Sequence, residues 1–105
     1  MTSREYLYAL SSKVSPDAIA GLQTVFHFDL EGEGGGQFTV KVDEGIVSVN
    51  DGLNGQPNCV VRAHEDTFNK LVSGDLNPMM AVLTGKVKIS NQGEMLRYAK
   101  LFGLM

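Results

Sequence analysis

Two histidines, one cysteine, a glycine-rich run and a few clustered acids are the residues of this 105-residue sequence that could do chemistry. A thiol nucleophile needs a base beside it, and Cys59 with His27 or His64 would supply such a pair. Cys59, however, sits among alternating apolar positions, where a small buried hydrophobe is the simpler role. His27 alternates with Phe26 and Phe28 and should point to the solvated side of a strand. His64 precedes an acidic helix start and should cap it or lean on its first turn. The run Gly32-Glu33-Gly34-Gly35-Gly36-Gln37 invites a phosphate-loop reading. It lacks the Lys-Ser or Lys-Thr that grips phosphate and the last glycine of a dinucleotide fingerprint, and Glu31 and Glu33 would repel phosphate. A plain hairpin is expected there. Asp43, Glu44 and Asp51 do not follow calcium-loop spacing and read as solvated turn acids. No catalytic residue, metal ligand or cofactor site is expected, and the chain reads as a non-enzyme.

Two uneven distributions point instead to contact with something apolar or anionic. Residues 29 to 51 hold six acids against Lys41 alone, whereas residues 86 to 100 hold Lys86, Lys88, Arg97 and Lys100 against Glu94. Lys86 and Lys88 share a strand face and could attract a carboxylate, a phosphate or an anionic membrane surface; a merely solvated face is the alternative. Apart from Met1, every methionine (Met79, Met80, Met95 and Met105) falls in the last 27 residues. Methionine fills irregular gaps in a core, and it also lines deformable apolar pockets.

The elements that must position these residues form one domain, residues 1 to 105, since 11.4 kDa leaves no room for two. Hydrophobic residues at 43% and charged residues at 20% fit an ordinary core rather than disorder. A net charge of −3 gives no overall field for phosphate backbones, so nucleic acid is not an expected partner. The single cysteine excludes a disulfide scaffold and fits a reducing compartment. With no secretory h-region and no run of ~20 apolar residues, a cytoplasmic protein is expected.

Tyr6, Leu7, Leu10 and Val14 recur at helical spacing within a first helix, Ser3 to Val14. Ser15-Pro16-Asp17 reads as a cap with proline at N1, Val14 and Ile19 as a hydrophobic staple, and a second helix is expected to reach about Leu22. The period then changes to two. Phe26, Phe28 and Leu30 alternate with polar residues, as do Phe38, Val40 and Val42, then Val47 and Val49, which predicts a three-stranded meander. A turn-rich stretch, residues 50 to 58, leads to a fourth strand, Cys59 to Ala63. Glu65 to Ser73 has acids first, Lys70 late and Gly74 just beyond, as a helix prefers. Asn77-Pro78 opens another helix to Thr84, Val87 and Ile89 mark a fifth strand, and Gln92 to Leu104 is expected as the last helix. In that helix Met95, Tyr98, Ala99 and Phe102 cluster on one side with Leu96 at its edge. The apolar end, Leu101 to Met105, would tuck under the domain, cover a greasy opening or meet a partner.

The stretch Phe68-Asn69-Lys70-Leu71-Val72-Ser73-Gly74-Asp75-Leu76-Asn77-Pro78, followed after six residues by Gly85-Lys86-Val87-Lys88-Ile89, closely resembles the sterol carrier protein type 2 family. The likeness extends upstream through Cys59, the Asp43-Glu44-Gly45 hairpin and the Phe26 to Leu30 strand. It implies an α+β fold: a five-stranded, mostly antiparallel sheet covered on one face by about five helices, with a hydrophobic tunnel between them. It also implies non-enzymatic lipid binding or transfer, the ligand being a fatty acyl, acyl-CoA, isoprenoid or sterol-like molecule. Carried over onto this sequence, the lipid-facing positions are Phe26, Phe28, Phe38, Val40 and Val47 on strands and Phe68 and Leu71 on one helix. Met79, Met80 and Leu83 come from the next helix, and Met95, Leu96, Ala99 and Phe102 from the last. The alternative is an accessory module that binds an enzyme partner and presents or holds its apolar substrate.

Two departures bear on this. Phe38 stands where the family often has tryptophan, and the Phe102-Gly103-Leu104-Met105 end lacks the peroxisomal tripeptide of many eukaryotic members, which favours a free-standing bacterial or archaeal member. An empty dry interior of ~400 Å³ would cost on the order of 10 kcal/mol, as much as a whole domain's stability. An unfilled tunnel should therefore collapse around its methionines or loosen.

Overall fold

The computed structural model describes residues 2–13, 16–99 and 101–102. Four α-helices, α1 (Ser3–Lys13), α2 (Glu65–Ser73), α3 (Pro78–Leu83) and α4 (Gln92–Tyr98), accompany five strands, β1 (Thr24–Glu31), β2 (Gly36–Asp43), β3 (Ile46–Asp51), β4 (Cys59–His64) and β5 (Val87–Ile89). The strands form one sheet in the order β3-β2-β1-β4-β5. Only β1 and β4 run parallel; the other neighbours are antiparallel. This is the expected α+β sheet. The expected second α-helix is instead one 3-10 turn, Pro16–Ile19, and the staple expected between Val14 and Ile19, with its cap Ser15, lies outside the described residues. No helix among the described residues is long and apolar enough to cross a membrane.

Local chemistry sets the junctions. Thr2 and Glu5 form a capping box, the Glu5 N–H donating to Thr2 Oγ1 at 3.2 Å and the Thr2 N–H to Glu5 Oε1 at 3.1 Å. At α2, His64 Nδ1 accepts from the Asp66 N–H at 3.1 Å, and Gly74 closes the helix with φ of 84°, where a side chain would be strained. Asn77 Oδ1 accepts from the N–H groups of Met79 and Met80 at 2.8 and 3.3 Å, with Pro78 at the first helical position. Glu44 and Gly45 both take positive φ, the geometry that matches a two-residue turn to the twist of β2 and β3.

The helices α1, α2 and α4 lie over one face of the sheet, and α3 sits beside the edge strand β5. Phe26, Phe28, Leu30, Phe38, Val40, Val42, Val47, Cys59, Val61 and Ala63 are buried toward them. On the other face the loop after β3 folds back over the strands. Thr39 Oγ1 donates to the Gly52 carbonyl at 2.7 Å and accepts from the Asn54 N–H at 2.9 Å, and His27 Nε2 lies 2.9 Å from the Asn54 carbonyl. His27 faces outward as expected, but it is buried under this loop rather than solvated. The loop's backbone needs partners, and the polar strand residues supply them.

One exposed cluster fastens α1 to the sheet. The Arg4 guanidinium holds both Asp51 oxygens at 2.8 and 2.9 Å, the Tyr8 hydroxyl donates to Asp51 Oδ1 at 2.7 Å, and Arg4 lies over the Tyr8 ring. The Tyr8 hydroxyl and Arg4 hold the Asp51 carboxyl below its ordinary value. Such a group stabilises the fold fully above the unfolded-state pKa and loses that contribution as pH falls through the lower folded value. The melting-temperature gap between wild type and Asp51→Asn should therefore be constant above about pH 5 and close as pH falls below about 4. A gap that persisted into stronger acid would assign the cluster no charge-dependent role.

Candidate functional site

Period-two alternation in β1 brings Phe26 and Phe28 to the covered face, where they pair across the ladders with Val40 and Phe38 of β2 and with Cys59 and Val61 of β4. From α2, whose apolar residues repeat at helical spacing, Phe68 reaches Phe28 with ring centroids 5.8 Å apart and Tyr6 of α1 at 5.9 Å. From α4, Tyr98 stands edge-on to Phe26 at 5.7 Å. Phe102 completes the cluster, with centroids 4.8 Å from Phe26 and 5.1 Å from Phe28 and no exposed surface. Offset and edge-to-face contacts of this kind add to burial about 0.5–1.5 kcal/mol per pair. Phenyl rings thus occupy the centre of the layer between sheet and helices, with Met95 buried beside them.

Phe102 lies on the side of the last helix that periodicity predicts, with Met95, Tyr98 and Ala99, although the α-helix itself ends sooner than expected. The helix α4 ends at Tyr98 rather than at Leu104, yet the Phe102 N–H still donates to the Tyr98 carbonyl at 3.3 Å, and the Phe102 ring is buried in the core. The Tyr6 hydroxyl donates to the Phe102 carbonyl at 2.7 Å, which satisfies a backbone group that continued helix would have bonded. Two further bonds seat α4 on the start of β1: Thr24 Oγ1 donates to Glu94 Oε2 at 2.6 Å, and the Tyr98 hydroxyl to the Gln23 carbonyl at 3.4 Å. Leu104 and Met105, the end of the expected apolar tail, lie outside the described residues.

The expected lipid-facing residues separate into groups. Phe26, Phe28, Phe68 and Phe102 form the ring cluster, and Val40, Val47, Leu71, Met95 and Ala99 are buried in the same layer between sheet and helices. Phe38 is buried under α1 instead, edge-on to Tyr8 at 6.4 Å with the Arg4 guanidinium 5.8 Å from its ring. Met79, Met80 and Leu83 on α3, and Leu96 on α4, are exposed. Tyr6 and Tyr98 belong to the interior and were not among the expected site residues. The Tyr98 position on the Met95–Phe102 side of the last helix was a usable signal; the Tyr6 bond to Phe102 spans 96 residues and left none.

The nucleophile candidates are kept apart. Cys59 faces inward beside Phe26 and donates to the Asn91 carbonyl at 3.4 Å, and burial pushes its thiol up, away from thiolate. His27 is on the opposite face, and His64 is occupied in capping α2. Among the described residues the one buried carboxylate, Glu65, accepts from Asn69 Nδ2 at 2.6 Å and from the Ser3 N–H at 3.4 Å. Nor do three His, Cys, Asp or Glu side chains among these residues gather as a metal ion would need.

Comparison with known proteins places this architecture. The family model described as SCP-2 sterol transfer family matches residues 5–104. Hydroxysteroid dehydrogenase-like protein 2 of Bos taurus is 33% identical over 97 residues, which are 91% of this chain and 23% of that protein. Its Xenopus tropicalis counterpart is 29% identical over 104 residues, 97% of this chain and 25% of that protein, so the chain spans about a quarter of the length of these curated relatives. Among solved structures, palmitated SCP2L2 from Aedes aegypti superimposes with a TM-score of 0.72 at 19% identity, covering 97% of this chain and 95% of that one. A double mutant of the sec-alkyl sulfatase PisA1 gives a TM-score of 0.83 at 19% identity, covering all of this chain but 16% of the enzyme. These likenesses fix the fold, and the family model, which spans all but the two ends of the sequence, fixes the kinship: the chain belongs to the SCP-2 sterol transfer family.

Proposed function

We propose that the chain is a non-enzymatic lipid carrier that holds one fatty acyl, acyl-CoA, isoprenoid or sterol-like molecule between its sheet and helices. The observation that carries this is the ring cluster itself. Phe26, Phe28 and Phe68 form a wall fixed on β1 and α2, whereas Phe102 lies beyond the end of α4 and is held by the Tyr6 hydroxyl on its carbonyl, by its N–H on the Tyr98 carbonyl at 3.3 Å and by its own burial. A lipid chain takes the place of the Phe102 ring, and the C-terminal turn swings aside to admit it. A palmitoyl chain offers roughly 12 kcal/mol gross at ~0.8 kcal/mol per methylene, which association, ordering and displacement of the ring reduce to about micromolar binding. Such an affinity suits a carrier, which must also release.

Thermal melts with palmitate, palmitoyl-CoA and farnesol, together with displacement of a fluorescent fatty acid, test this. A ligand at about 100 times its Kd adds about 2.7 kcal/mol, which for a domain of this size raises the melting temperature by about 10 °C or more. Unchanged melting with all three, and no displacement, would overturn the carrier reading and leave the second one. That second reading, an accessory module holding or presenting an apolar substrate to an enzyme, is supported by the relatives in which the matching segment is about a quarter of a longer chain.

A further inference from the structure

We infer that the outer face of α3 is a docking surface for an anionic lipid bilayer. This six-residue helix is turned opposite to ordinary amphipathic packing. Ala81 is fully buried and Val82 half-buried against the domain, while Met79, Met80 and Leu83, at positions i, i+1 and i+4, point to solvent with 69%, 52% and 74% of their surface exposed. The two capping devices fix this orientation, since Asn77 Oδ1 seats the first turn and the Lys86 N–H donates to the Ala81 carbonyl at 2.9 Å behind the last. Three large apolar side chains held outward on one helical face are costly in water and suited to an apolar phase.

Charge identifies that phase. Residues 76 to 93 contain no Asp or Glu, although the chain as a whole is acidic, and they contain Lys86 and Lys88. Both lysines are exposed, Lys86 beside the end of α3 and Lys88 on β5, which among the described residues pairs only with β4 and forms one edge of the sheet. Asp75, which precedes the segment, receives the Ser73 hydroxyl at 3.1 Å. The carboxylate nearest Lys88 across the ladder, Asp29, is paired with Arg62 at 3.9 Å. An apolar helix followed by two lysines, in a segment without carboxylates, matches the interface of a membrane containing anionic lipid: methionine and leucine side chains enter below the headgroups while the lysines meet phosphates. The outward methionines add an adaptable surface. Docking here does not depend on internal lipid carriage, although it would bring a carrier to its source.

Co-sedimentation of the full chain with vesicles of equimolar phosphatidylcholine and phosphatidylglycerol, and with phosphatidylcholine alone, tests the inference. Binding should require phosphatidylglycerol, weaken with added salt, fall about fivefold for each lysine removed in Lys86→Gln and Lys88→Gln, and fall at least tenfold in Met79→Ser/Leu83→Ser. The exposure of these four side chains keeps the variants folded, which circular dichroism checks. Absence of binding to either vesicle overturns the inference, as does equal binding by Met79→Ser/Leu83→Ser. A concentration-dependent dimer that the same double substitution abolishes, without vesicle binding, would instead assign the face to a second copy of the chain. Fluorescent fatty acid titration of the wild type in vesicle-free buffer keeps this outcome separate from the carrier reading.

Discussion

Phe102→Ala is expected to destabilise the domain by about 3–5 kcal/mol and, at the same time, to tighten fatty acid binding by about tenfold or more. The first effect follows from burial: the ring has no exposed surface and touches Phe26 and Phe28, so truncation leaves a cavity in an interior that has few ways to close over it. In a domain of ordinary stability that is a large fraction of the total, and the melting temperature should fall by about 15 °C or more. The second effect has the opposite sign because of where the ring sits. If a lipid chain must displace Phe102, the free energy of that displacement is subtracted from binding, and removing the ring removes the subtraction; each 1.4 kcal/mol so recovered is about tenfold in Kd. Phe26→Ala supplies the contrast. Phe26 is fixed on the central strand β1 and forms the wall against which a lipid would lie, so its loss should weaken both stability and binding. Thermal melts and fluorescent fatty acid titrations of the two variants give the answer by sign. Weaker binding in Phe102→Ala would make Phe102 part of the wall and the closed packing no obstacle to lipid.

That opposition explains why the site was only partly legible from the sequence. Alternation in β1 and β2 announces which residues face the helices, because the period of a strand is local and the apolar and polar sets are distinct. The caps at Gly74 and Asn77-Pro78 were equally legible, since each is decided within four residues. Two things were not. The six residues of α3 are apolar on every side, so spacing alone offers no contrast that could tell the Ala81 face from the Met79 face; packing beside β5 decides it. The Tyr6 hydroxyl on the Phe102 carbonyl joins residues at opposite ends of the sequence, a contact that no local pattern announces. Helical periodicity does announce the buried side of Met95, Tyr98 and Phe102, while the boundary of α4 at Tyr98 leaves no local signal. The same holds for His27, whose outward direction is a strand property while its burial depends on a loop that begins 25 residues later.

The hairpin that joins β1 to β2 sets the register on which the whole ring cluster depends, and Gly35→Ala should break it. A methyl group at Gly35 would stand 2.3 Å from the Leu30 carbonyl oxygen, 2.9 Å from its carbon and 3.2 Å from the Glu31 oxygen. All three are backbone atoms, and Leu30 cannot retreat, because it pairs with Gly36 on one side and with Ala63 on the other. The cost is therefore steric, and about 3 kcal/mol or more is expected. Gly55→Ala isolates this from conformational strain: Gly55 has φ of 74°, but a methyl group there would meet no atom within 4 Å, so only the left-handed backbone opposes it, at about 1 kcal/mol. Urea unfolding of the two variants should separate them by about 2 kcal/mol, and equal stabilities would mean that the loop relaxes freely. The consequence reaches the site because a strand's side chains alternate. If β1 and β2 escape the clash by slipping one residue, Phe26 and Phe28 pass to the outer face and His27 and Asp29 turn inward, so Gly35→Ala should lose fatty acid binding even under conditions where its sheet persists.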